Sequence, residues 1–318
     1  MPHRPIQPPK RALSALKGGA KRMATAPSAP AWPSYTGSST YVGTSADGRV
    51  EVFVDPSLSD PAMQNAVDLV NDASRIAALN DAFFGTPGGP VQVIVFALGG
   101  ATDGTGGADH MGCDYSTGAQ IEVCAAFGAS MRCSGLFEAE LSECSMNGQL
   151  CGLSTGEALS RWCASTVSNN ALGDFATAPT WVADGSPNFV DTVDPTDGNA
   201  DSIGCGMAFI SWLLSMGYTL SQIAQGMVAN GDTGTFCELY GALTGDDPAN
   251  AWTKFQAAIA ALPYGVVDDD PFSGASTPVP APGPAPQPPP APGGVTLAQA
   301  VQWARASRII HRLFMTLR

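Results

Sequence analysis

Between Gly48 and Pro56, Val50, Val52 and Val54 alternate with Glu51, Phe53 and Asp55. This two-residue period predicts a strand with one face toward a core. From Pro61 to Phe84 the period changes, and Met63, Ala66, Val67, Val70, Ala73, Ile76, Ala77 and Phe83 recur at helical spacing behind Asp60, a good N-cap. The run Val91-Gln-Val-Ile-Val-Phe-Ala97, apolar but for Gln92, predicts a buried strand. Gly99–Gly107 turns the chain, and lacks the Gly-Lys-Ser/Thr end of a phosphate-binding loop. A further strand is predicted over Ala119–Phe127, with Ile121, Val123 and Ala125 on one face. The pattern then turns helical, over Ser134–Met146, Ser154–Ser168, Gly204–Met216, Leu220–Ala229 and Ala249–Leu262. Strand, helix, strand and strand, followed by a run of helices, predict an α+β fold with a mostly helical second half.

Charge divides the chain more sharply than the hydrophobic pattern does. All 28 acidic residues fall between Asp47 and Asp270, where only five Lys and Arg accompany them, a formal charge of −23. The flanks hold the other ten basic residues and no acid. Four parts are expected: a basic Pro/Ala-rich segment over 1–46, an acidic domain over 47–270, a Pro-rich linker over 271–294 and a basic amphipathic helix over 295–318. In that last helix Leu297, Val301, Ile310, Leu313, Phe314 and Leu317 oppose Arg305, Arg308 and Arg312. Such a helix on a stiff tether is expected to dock on a protein partner, an anionic surface or the acidic domain itself, or else to pack on the core. The acidic domain repels phosphates, so nucleic acid is not its expected ligand. No run of about 20 apolar residues predicts a transmembrane segment.

Eight cysteines, Cys113, Cys124, Cys133, Cys144, Cys151, Cys163, Cys205 and Cys237, all lie in the acidic domain without a CxxC pair. Disulfides are the leading expectation, with Cys113–Cys124, Cys144–Cys151 and Cys205–Cys237 as candidate pairs, although spacing leaves the connectivity open. Cystines imply an extracytoplasmic or secreted protein. Lys17, Lys21 and Arg22 interrupt the place of a signal-peptide core, so reduced cysteines in the cytoplasm remain the alternative.

Candidate chemistry centres on Leu136-Phe-Glu-Ala-Glu-Leu-Ser-Glu143 and Thr155-Gly-Glu-Ala-Leu-Ser-Arg161. Together they resemble the active-site frame of a gluzincin-type zinc metallopeptidase, whose HExxH helix supplies two His ligands and a catalytic Glu, and whose next helix supplies a ligand Glu. Ala139–Glu143 occupies the HExxH frame. Glu140 keeps the catalytic position, Ala139 and Glu143 replace the histidines, and Glu157 fits the downstream ligand. The element order, Trp181–Asp184 and the stretch from Asp194 to Trp212 are also similar to bacterial zincin-like domains, over about Gly48–Pro263. The resemblance implies a zincin-like fold, with a mixed sheet and the motif helix in an upper half and a mostly helical lower half.

Carboxylates suit Ca²⁺, Mg²⁺ or Mn²⁺ better than Zn²⁺, so a zinc enzyme is not expected. Of three histidines, His3 and His311 lie in the flanks, which leaves His110 to join Glu143 and Glu157 around a hard cation with Glu140 as general base. The expected function is a metallopeptidase-like domain, inactive or an atypical hydrolase; the alternative is a disulfide-stabilised extracellular binding module. Two ordinary readings stand beside these: Glu140 and Glu143 on a solvated helix face, and Glu157 as the N3 residue of a capping box begun by Ser154. Glu140 and Glu157 also form a possible carboxylate pair for a glycosidic bond. The loop Asp191–Asp201 offers Asp194, Asp197, Asn199 and Asp201 to calcium without matching an EF-hand.

Overall fold

The alternating valines of Val50–Val54 form the second strand of a five-stranded mixed sheet in the computed structural model, which describes residues 27–28, 38–96, 108–116, 120–124 and 130–273. The strands are β1 (Thr40–Thr44), β2 (Val50–Val54), β3 (Val91–Phe96), β4 (Ala108–His110) and β5 (Gln120–Cys124), in the order β1-β2-β3-β5-β4. β2, β3 and β5 run parallel, and β1 and β4 pair antiparallel at the edges. The strand expected over Ala119–Phe127 is therefore interior, and the edge belongs to β4, which lies in what the sequence presents as a Gly-rich loop.

One face of the sheet holds Val50, Val52, Val54, Val93, Val95, Ile121 and Val123, packed against α1 (Asp60–Phe84) and α2 (Ser130–Ser145). Phe53, Ile94, Phe96 and Cys124 face the other way. α1 starts after Ser59, so Asp60 is its first residue and not its N-cap, and it ends on Gly85 in the left-handed conformation. α2 begins four residues before the expected Ser134.

The second half is helical: α3 (Ser154–Ser168), α4 (Ala178–Ala183), α5 (Ala200–Ser215), α6 (Leu220–Asn230), α7 (Phe236–Thr244) and α8 (Ala251–Ala260). Trp181, Phe209, Trp212, Phe236 and Phe255 form its aromatic centre, with Phe209 within 5.4 Å of the Trp212, Phe236 and Phe255 rings. Two glycines permit close approaches. A Cβ on Gly204 would lie 2.4 Å from the Thr177 carbonyl oxygen, and one on Gly156 would lie 2.2 Å from that of Leu150. The second approach seats the turn through Leu150 and Cys151 directly on the first turn of α3.

Among the described residues no helix is long and apolar enough to cross a membrane. One disulfide is formed among them, Cys113–Cys151, across 38 residues. The other six cysteines are not joined in a disulfide, and five of them are buried, which corrects all three candidate pairings. Cys124, Cys133, Cys144, Cys163 and Cys205 serve as small apolar core residues. The helix expected over 295–318, with its docking role, lies outside the described residues, as do the Pro-rich linker beyond 273 and the Gly-rich turn up to 107.

Candidate functional site

Three faces of α2 have three different fates. Phe137, Leu141 and Cys144 enter the core beneath the sheet, and Glu138, Ser142 and Ser145 are buried too. Leu136, Ala139, Glu140 and Glu143, at spacings of three and four, line a cavity of about 600 Å³. Glu140 and Glu143 are thus not on an open solvated face: their side chains are 15% and 13% exposed. Glu157 and Arg161 of α3, Asp197 before α5, and His110 and Asp109 of β4 complete the polar wall. Phe175, Ile203 and Met207 supply apolar surface to the same cavity.

The edge strand brings His110 to the motif helix. Its Nε2 lies 2.8 Å from Glu143 Oε2 and 3.8 Å from Glu140 Oε2, while Nδ1 bonds the Gly112 carbonyl. Both neighbours of the ring are acceptors, so the imidazole is held as a double donor. Burial opposes its charge, but the hydrogen bond and charge of Glu143, with the Gly112 carbonyl, outweigh burial and raise its pKa. Burial first, then repulsion from Glu143, Glu157, Asp109 and Asp197, pushes the Glu140 pKa well above the usual carboxylate range. Burial and these neighbouring carboxylates favour the protonated form of Glu140.

Glu157 is not a capping residue. The N-cap position is Leu153, Ser154 is already helical without a side-chain cap, and Glu157 Oε1 accepts from Arg161 Nε at 2.6 Å. Arg161 also donates to the Phe175 carbonyl at 3.0 Å, which fixes the guanidinium at the cavity wall. Burial still raises the Glu157 pKa despite that partner. A cation that recruited Glu157 would compete with Arg161 for it.

In the proposed calcium loop, Asp194 and Asn199 are engaged in hydrogen bonds within the protein. Asn199 accepts from the Asp201 N–H at 3.1 Å as the N-cap of α5 and donates to Asp194 Oδ2 at 2.6 Å. The Asp201 carboxyl is raised by burial and by Asp184, to which it is hydrogen-bonded. Asp197 alone of that loop's carboxylates turns to the cavity.

Sequence reasoning passed over Asp109 and Asp269. Asp109 adjoins His110, a signal that was present once His110 was singled out. Asp269 also lines the cavity and accepts from the Thr177 and Ala178 N–H groups at 2.8 and 2.7 Å, anchoring the start of α4. It lies in Asp268-Asp-Asp270, which reads as the end of the acidic domain.

No protein-family model matches the chain. No curated protein matches it either. Among solved structures, a mutant of an M1 zinc metallopeptidase from Deinococcus radiodurans is similar over 80% of this chain and 54% of that one, with 10% sequence identity and a TM-score of 0.41. The chain thus spans about half the length of that enzyme. Similarity this distant leaves the cleft to be read from its own residues.

Proposed function

We propose that the cleft is a metallopeptidase-like site without the zinc-binding histidines, holding a hard divalent cation at Glu143 and His110 and acting as an atypical hydrolase. The observation that carries this reading is the convergence of His110 Nε2, Glu143 Oε2 and Glu140 Oε2 within the cavity. The two-histidine, one-glutamate zinc set that the resemblance implies does not fit these residues. Ala139 has no donor, Glu143 stands for an imidazole, and Glu157 is taken by Arg161. Ca²⁺, Mg²⁺ or Mn²⁺ suits the carboxylate-rich set, and a bound cation supplies polarisation of a carbonyl oxygen.

The chain's own residues do the rest. Glu143 releases its bond to the imidazole and offers an oxygen, and His110, once neutral, offers the Nε2 lone pair. Glu140 sits beside both and passes a proton at Oε2 as general acid–base. Phe175, Ile203 and Met207 exclude water from one side of a bound substrate. Zincin ancestry is part of the proposal, supported by the order of elements and by Glu140 in the motif frame.

Differential scanning fluorimetry of the oxidised domain tests the cation. Mn²⁺, Mg²⁺ or Ca²⁺ at one hundred times its dissociation constant should stabilise by about 2.7 kcal/mol. Glu143→Gln should remove most of the rise. No rise with any of the three ions, or an equal rise in the variant, overturns the reading. With the cation bound, Glu140→Gln should abolish any peptide hydrolysis without lowering the melting temperature. Retained cation binding without hydrolysis in the parent would support the second reading, an extracellular recognition module, which the Cys113–Cys151 bridge at the cleft rim favours.

A further inference from the structure

The same rim carries a donor of a different chemical kind. Cys151 sits in the turn before α3, and its sulfur, a His110 ring nitrogen and a Glu143 carboxylate oxygen all lie within 4.8 Å of one another. A nitrogen, an oxygen and a sulfur from three segments of the chain are the donors that suit zinc, whereas carboxylates alone do not. The sulfur is spoken for by Cys113. A disulfide sulfur has no thiolate charge and is a poor ligand.

We propose that reduction of Cys113–Cys151 by a dithiol converts this rim into a zinc site formed by His110, Glu143 and Cys151, with the fourth position left to water or substrate. The inference rests on His110 and Glu143 as the cation anchors of the preceding section, and adds redox control and a change of metal preference. The exchange balances: the dithiol closes to its own disulfide, its two electrons break the Cys113–Cys151 bond, and its two protons pass to the two sulfurs. Cys151 then loses its proton to solvent on binding the metal.

Several features keep the donors in place when the bridge opens. The Gly148 N–H donates to the Cys113 carbonyl at 2.8 Å, a backbone tie between the same two segments. The Leu150 N–H donates to Asp232 Oδ1 at 2.6 Å, which anchors the turn from the other side. The His110 Nδ1 bond to the Gly112 carbonyl orients the ring with Nε2 toward the carboxylate, as a backbone carbonyl orients many metal-ligating histidines. Ligands around tetrahedral zinc stand about 3.3–3.8 Å apart for bonds of about 2.0–2.3 Å. Side-chain rotation of about 1 Å therefore closes the set.

Cobalt(II) titration of the whole chain tests this, because a cobalt–thiolate bond has a near-ultraviolet charge-transfer band that oxygen and nitrogen ligands do not produce. Cys113→Ser frees Cys151 without any reductant, and the parent is measured oxidised and after dithiol reduction with the reductant removed under argon. Cys113→Ser and the reduced parent should show the band at one cobalt per chain, and zinc should displace it. The oxidised parent and Cys151→Ser should lack it, with zinc bound at least about ten-fold more weakly. Circular dichroism confirms that each variant is folded, and the reduced parent carries the test if Cys113→Ser is not. Equal spectra and affinities in Cys113→Ser and Cys151→Ser would overturn the proposal. The Mn²⁺ shift of the oxidised domain is read separately: its loss alone sinks the hard-cation reading, and its survival without a thiolate band sinks only the redox-gated site.

Discussion

Glu122 lies in the middle of β5, 1% exposed, with its Oε1 lacking a hydrogen-bond partner among the described residues. The β4–β5 register sets it opposite Asp109, one carboxylate across from another. Burial, and then the Asp109 charge, raise its pKa from 4.5 to about 7. The folded state therefore holds a proton that the unfolded state has released between these values. Because the unfolded chain binds fewer protons there, stability falls as pH rises, beginning near the unfolded pKa and levelling off above the folded one. A rise of about 2.5 units at about 1.36 kcal/mol per unit amounts to a loss of roughly 3 kcal/mol.

Glu122→Gln keeps the shape and removes the titration. Urea unfolding at pH 4.5 and pH 8 measures the difference between parent and variant at each pH. The advantage of Glu122→Gln over the parent should grow by roughly 3 kcal/mol from the lower pH to the higher. Asp109→Asn should recover the smaller, charge-dependent part of it. A parent–variant difference that does not change with pH would refute the assignment of the burden to a buried carboxyl.

Glu138 is fully buried, neither carboxyl oxygen has a hydrogen-bond partner among the described residues, and its pKa is pushed well up by burial despite the Arg75 charge. Because its folded pKa is raised, stability should fall as pH rises above the unfolded pKa, and Glu138→Gln should flatten that decline, seen in the pH dependence of the urea midpoint. Gly156→Ala should cost about 1–3 kcal/mol by pressing a methyl group against the Leu150 carbonyl, with calorimetry as the check. Alkylation of unfolded, unreduced protein should modify six cysteines and leave Cys113 and Cys151 joined; eight modified thiols would place the native protein in a reducing environment.

The parts of the fold legible in the sequence were those with a sustained period. Val50, Val52 and Val54, and the helical spacing from Met63 to Phe83, each repeat often enough to show which face is buried. The three residues of Ala108–His110 are too few to show alternation, so the strand that delivers His110 to Glu143 was hidden in a glycine-rich context. α7 was missed although Thr235 and Glu238 form a capping box that marks its start. The site residues on α2 could be found because helical spacing alone puts Glu140 and Glu143 on one face. That they turn into a cavity depends on packing against α1 and α3. Disulfide pairing was beyond reach for the same reason: Cys113 meets Cys151 only because distant segments fold together, while Cys124 and Cys144, close in sequence to those two, are drawn into the core under and over the sheet.

Electron paramagnetic resonance of Mn²⁺ titrated into the oxidised domain most directly tests the claim that His110 and Glu143 anchor a cation. The account predicts one immobilised Mn²⁺ per chain, with hyperfine broadening from the imidazole nitrogen that disappears in His110→Ala, and loss of tight binding in Glu143→Gln. Unchanged stoichiometry and affinity in the His110→Ala, Glu143→Gln double variant would contradict it.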